Sequence, residues 1–155
     1  MITKNKAMIW LAATAILGLA TFILPAMAKS DKEMNSQLDE LFGQHAVYHA
    51  FFTDLKKAVS AGDRKAVAAM VDYPITVSIG GKDVKIKSGK DFVAHYDHIF
   101  SEKIVMAVEK QTYAALFAND QGIMIGDGEI WIDGICLDHD CEKQAVKIIT
   151  INSDT

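Results

Sequence analysis

The first 28 residues constrain the rest of the chain more than any other segment. Lys4 and Lys6 give a short positive start, and Ala7 to Leu24 is an uncharged, mostly apolar run. Pro25 ends that run, and Ala26-Met27-Ala28 supplies the small-x-small pattern at which signal peptidases cut. Those three parts, in that order, predict a secretory signal peptide over 1–28 and a mature protein beginning at Lys29. The competing possibility is an uncleaved anchor, since the run is about as long as the shortest spanning helix. Thr14, Gly18 and Thr21 dilute it, and no cysteine near the cut offers a lipid attachment point. An exported chain folds where disulfides persist, so the expected location is periplasmic or secreted.

Residues 29–155 amount to one ordinary domain, large enough to bury a core without a metal. The full chain has 16 basic and 20 acidic residues and a net charge of −4. Losing Lys4 and Lys6, with no acid in the leader, takes the net charge to −6. Phosphate neutralisation needs clustered Lys and Arg, so a nucleic-acid partner is not expected. Arg64 is the sole arginine, which leaves a single guanidinium fork for any clamp on a phosphate or carboxylate.

Cys136 and Cys141 enclose only Leu-Asp-His-Asp. In an exported protein, an even count at short spacing reads as a disulfide. Closing so short a loop is worth about 2 kcal/mol on the chain-entropy model. The bond would pin a loop between two strands and display Asp138, His139 and Asp140 on a stiff tip, either as a solvated turn or as a partner contact.

Ser30 to Glu40 is polar, and fraying is expected there. A helical stripe follows: Leu38, Leu41, Phe42, His45, Tyr48, His49, Phe52, Leu55 and Val59 recur at steps of three and four. Gly62 suits a left-handed helix end, and Asp63 can cap a short helix with Val67, Met70 and Val71 inward. Tyr73-Pro74 forces extended backbone. Ile75, Val77 and Ile79 then alternate with polar residues, Gly80-Gly81 makes a tight turn, and Val84 and Ile86 continue the hairpin. Ser88-Gly89 opens a helix whose inner face is Phe92, Tyr96, Ile99 and Phe100. Glu102 to Lys110 suits a helix or a strand equally. Tyr113–Ala118, Ile123–Ile125, Glu129–Ile132 and Val146–Ile151 read as strands, with Gly126 and Gly128 marking a bulge or bend rather than a chain reversal.

Helices segregated on one face of an antiparallel sheet make an α+β architecture. On this element order, on the Tyr73-Pro74 entry to the first strand, and on the bent strand Gly126–Trp131, the chain resembles the nuclear-transport-factor-like superfamily. That superfamily includes SnoaL-like and ketosteroid-isomerase-like proteins. The resemblance spans Leu38 to Asn152. It implies a curved, cone-like sheet wrapped around the long helix, with an open pocket. It does not imply one function, because the superfamily holds enzymes, ligand binders and interaction modules.

His45 and His49 stand one turn apart on the predicted stripe, a spacing that can chelate zinc or simply pack. No HExxH motif accompanies them, and no metal is expected. His95 falls toward the buried side of its helix, as a general base or as a core-edge histidine. Asp127, Glu129 and Trp131 share one strand face by the two-residue period. On a concave face, paired acids beside an indole could do acid–base work, whereas on a convex face they are solvated. Isomerase-type members of the superfamily need a carboxylate opposite an oxyanion donor. Tyr48, Tyr73 or Tyr96 could supply a phenol, but no pair matches that pattern by motif. Lys82, Lys85, Lys87 and Lys90 cluster near the hairpin, where lysines discourage edge-to-edge pairing.

No phosphate loop, nucleophile elbow or dinucleotide fingerprint is present. The expectation is therefore an exported, cofactor-free, non-catalytic binding module of the cell envelope, of which an immunity or inhibitor protein is one form. It would recognise a protein partner or a small apolar ligand through Tyr48, Phe52, His95, Tyr96 and Trp131, with homodimerisation through the outer sheet face. The alternative is a cofactor-free isomerase or dehydratase using His95, Asp127 and Glu129.

Overall fold

The computed structural model describes residues 29–153, so the expected signal peptide over 1–28 lies outside the described residues. Among the described residues the fold is mixed α+β, with six helices, a two-stranded antiparallel sheet and a four-stranded antiparallel sheet. The sheets do not close into a barrel.

The first helix, α1 (Asp31–Phe42), begins where fraying is expected, and the reason is a capping box. The Ser30 hydroxyl accepts the Glu33 N–H at 3.3 Å, and the Glu33 carboxylate accepts the Ser30 N–H at 2.7 Å. Two orphan donors are thus satisfied reciprocally, and Met34 and Leu38 are driven inward. The apolar stripe does not continue as one helix. Gly43 takes a left-handed φ of 79° and ends α1, and a second helix, α2 (Ala46–Ser60), starts after the corner. The Asp39 carboxylate holds this corner by accepting the His45 N–H at 2.7 Å and facing the ring Nδ1 at 2.9 Å.

Asp63 caps α3 (Arg64–Ala69) by accepting the Ala66 N–H. The chain then leaves through Val71 and a cis Tyr73-Pro74 bond into strands β1 (Ile75–Ile79) and β2 (Lys82–Ile86). Gly80 and Gly81 both have positive φ (59° and 74°), as a two-residue turn matched to the strand twist requires. Ser88 caps α4 (Gly89–Ala94), which breaks at His95 before the single turn α5 (Tyr96–Ile99). The ambiguous segment Glu102–Lys110 is a helix, α6, burying Ile104 and Val108.

Strands β3 (Phe117–Asn119), β4 (Gly122–Ile125), β5 (Ile130–Cys136) and β6 (Gln144–Ile151) pair in sequence order. Tyr113 to Leu116 is a turn rather than the start of β3. The bulge expected at Gly126 and Gly128 is instead a chain reversal, because Ile125 pairs with Ile130. The irregularity lies one strand on, between Trp131 and Ile132 against β6. One cross-strand row, Ala118–Ile123–Ile132–Ile148, is buried and joins the helices in the core. The neighbouring row, Phe117–Met124–Trp131–Thr150, leaves Phe117 half exposed. The Val71 segment adds a parallel bridge to Ile148 at the β6 edge.

Candidate functional site

The reversal between β4 and β5 decides where the two candidate acids go. Gly126 and Gly128 both have positive φ, so the four-residue turn curls its N–H groups inward. The Glu129 carboxylate folds back into that curl, accepts the Asp127 N–H at 2.6 Å, and is only 3% exposed. A Cβ on Gly126 would sit inside the Glu129 carboxyl group, so no larger residue fits there. The Lys103 ammonium lies 3.5 Å from the other oxygen. Burial pushes the Glu129 pKa up, but the N–H groups of Glu129 and Asp127, with Lys103, outweigh it and hold the pKa below 4.5. Gln111 accepts the Gly126 N–H, and Asn152 donates to the Gly128 carbonyl, so the turn is tied at both ends. Asp127 points into solvent beside it. The two acids do not form an exposed acid–base pair; one is a structural plug and the other is free.

His95 stands elsewhere. Its Nδ1 lies 2.9 Å from the Asp91 carbonyl and 3.4 Å from the Asp91 carboxylate, at the α4–α5 break. Phe52 and Tyr96 are core residues. Phe52 packs against Tyr113, and Tyr96 stacks on Phe100 at 5.2 Å with Arg64 over its ring. Trp131 stands on the other sheet row, edge-on to Phe117. His45 is spent on the Asp39 corner, outside α2, while the His49 ring lies 4.1 Å from that of Tyr113, so the two histidines do not share a helix face. Among the described residues, no group of three His, Cys, Asp or Glu side chains is placed to hold a metal.

Tyr48, by contrast, is a predicted contact residue that opens onto a cavity. Its ring stacks on Phe42 at 4.7 Å, and burial holds its hydroxyl pKa above the ordinary value, reinforced by the Asp133 charge. The hydroxyl reaches the β5 backbone at Gly134, where a Cβ would come within 2.9 Å of it. The resulting groove of about 360 Å³ runs between α2 and the β5–β6 end. Val47, which is 41% exposed, and half-buried Phe51 form one wall, and Gly134 and Val146 line the opposite side. Gln44 and Gln144 also line a second hollow of about 620 Å³ beside the loop Leu137–Lys143. The two hollows therefore form one trough.

The disulfide forms as expected: Cys136 and Cys141 are bonded, with Cα atoms 4.8 Å apart. The Leu137 N–H donates to the Lys143 carbonyl, and the Asp138 carboxylate accepts the Lys143 N–H at 3.1 Å. Asp138 thus holds the loop, while His139 and Asp140 are exposed at its tip. Sequence reasoning missed Val47, Phe51, Gln44 and Gln144. Val47 and Phe51 lie off the main stripe at i and i+4, a spacing that could have shown a second apolar face on α2. Compared with protein-family models, curated proteins and solved structures, the chain matches none.

Proposed function

We propose that this protein is an exported, non-catalytic binding module that engages a protein partner through the trough beside Tyr48. The observation that carries this reading is the contrast between the trough and the candidate catalytic residues. Glu129 is buried and saturated, Asp127 is solvated, and His95 is held by Asp91 away from both. The trough instead combines exposed apolar side chains with the amides of Gln44 and Gln144, the mixture that interface patches use. A disulfide-pinned loop at one end gives a rigid contact that loses little entropy on binding. Export, the cone-like curvature and kinship with the nuclear-transport-factor-like superfamily belong to the same proposal. An envelope immunity or inhibitor protein is one form that it takes.

A photo-crosslinker placed at Val47, and another at exposed Lys85 on β2, tests this in envelope extract. A discrete adduct from position 47 but not from 85, lost when Phe51→Ser is added to a chain of unchanged melting temperature, supports the trough. Equal labelling from both positions, or none, removes it.

A further inference from the structure

We propose that the cavity between α3 and α4 binds a free apolar molecule with a single anionic headgroup, of the medium-chain carboxylate class. The cavity measures about 570 Å³, a size normal for small-molecule sites. Its floor is apolar: Ala68, Val71, Val93 and the ring of Tyr73, with Ala69 exposed at the mouth. The Tyr73 hydroxyl is already committed, donating to the Ala68 carbonyl at 2.8 Å. Burial and the Asp91 charge push its pKa to about 12, so it stays neutral.

The rim carries three lysines, Lys65, Lys90 and Lys147, from three separate elements, and no lining residue is acidic. Lys147 donates to the Ala69 carbonyl at 2.7 Å, which points its ammonium toward the cavity edge. Among the described residues, Lys65 and Lys90 have neither an ion-pair nor a hydrogen-bond partner. Asp91, the nearby acid, is occupied by the Lys87 N–H at 3.0 Å and by His95. In a chain of net charge −4, a purely cationic rim over an apolar floor is a local reversal of sign. Three like charges around one opening repel each other, and a bound anion relieves that repulsion while its tail covers the floor. An uncharged apolar ligand would leave the ammoniums unanswered, and a small hydrophilic anion would leave the floor wet.

Calorimetric titration of the purified protein with decanoate, below its micellar concentration and at low salt, tests the assignment. One site is expected, with decan-1-ol about tenfold weaker because a part-exposed headgroup contact is worth roughly that factor. The double variant Lys65→Gln/Lys90→Gln should weaken decanoate to a similar degree and leave decan-1-ol unchanged. Ala69→Phe, which covers the mouth with a ring, should abolish both, and Val47→Asp in the trough should alter neither. Equal affinity for acid and alcohol, a comparison that needs no variant, overturns the proposal. So does decanoate binding that survives Ala69→Phe or is lost in Val47→Asp. Co-sedimentation with phosphatidylglycerol vesicles without a decanoate signal would point to a membrane surface instead and also overturn it.

Discussion

Strand β5 is reversed at both ends, and the two reversals are held by opposite means. At its start, the turn Gly126–Glu129 is tied by a buried carboxylate that gathers backbone N–H groups and faces Lys103. At its end, the loop Leu137–Lys143 stands in solvent, with Leu137 60% exposed, and is closed by a covalent bond. The difference follows from what surrounds each turn. Beside α6 there is protein to shield a charge, so hydrogen bonds to it are strong. Beyond Cys136 there is no core to lean on, and the remaining lever is the entropy of the unfolded chain. The first turn is therefore vulnerable to charge and the second to reductant.

The largest expected effect is at the buried end. Glu129→Ala leaves inward N–H groups and Lys103 without their acceptor and should cost about 3 kcal/mol, read by urea unfolding. Gly126→Ala should approach the same loss, since φ is +67° and its Cβ would overlap the Glu129 carboxyl. A loss below about 1 kcal/mol in Glu129→Ala would mean that water replaces the carboxylate, and the contrast with the exposed loop would collapse.

Opening the disulfide, by reductant or by Cys136→Ser/Cys141→Ser, should cost about 2 kcal/mol. The loss should appear in denaturant midpoint at neutral pH and add to that of Glu129→Ala, because the two turns share no partner. Marked non-additivity would show that β5 transmits strain between its ends, which sharpens the comparison in another direction.

How much of this was legible in the sequence differs between the two ends for the same reason. The disulfide is a matter of two cysteines five positions apart, both visible in the chain. The fate of Glu129 depends on how the backbone of Gly126–Gly128 curls, and strand periodicity carries no information about that. Two glycines read equally as a bend or a reversal, and choosing the bend put Asp127, Glu129 and Trp131 on one face that does not exist. The helical stripe misled similarly, because steps of three and four run across Gly43 although the backbone there is left-handed. The Gly80-Gly81 hairpin and the Asp63 and Ser88 caps were readable because each needs only neighbouring residues. The trough could not be read, since it joins α2 to residues about ninety positions away.

Acid separates the two ends by a smaller amount. The folded pKa of Glu129 lies below its ordinary value of 4.5, so its stabilisation is present above that value. It is lost as pH falls through the lower folded value. Lys103 and Lys110 line the same cleft, and Asp127 is exposed beside it. Acid unfolding of the disulfide-free variant should therefore keep the wild-type slope, whereas Glu129→Gln should flatten it below pH 4.5. An unchanged slope in Glu129→Gln would assign the acid transition to other carboxylates, Asp39 at the His45 corner among them, whose pKa is also held low.

The smallest effect makes the sharpest contrast, because it concerns the neighbouring acid in the same turn. Asp127 donates its backbone N–H to Glu129, but its own carboxylate points into solvent. Asp127→Ala keeps that N–H and removes only a solvated charge, so stability should change by no more than about 0.5 kcal/mol. Glu129→Ala, two residues on, removes the same chemical group at about six times the cost if the turn is held by burial as argued. Comparable losses at both positions would mean that the turn depends on its net negative charge near Lys103 and Lys110 rather than on the enclosed carboxylate. In that case the two ends of β5 would differ only in the covalent bond.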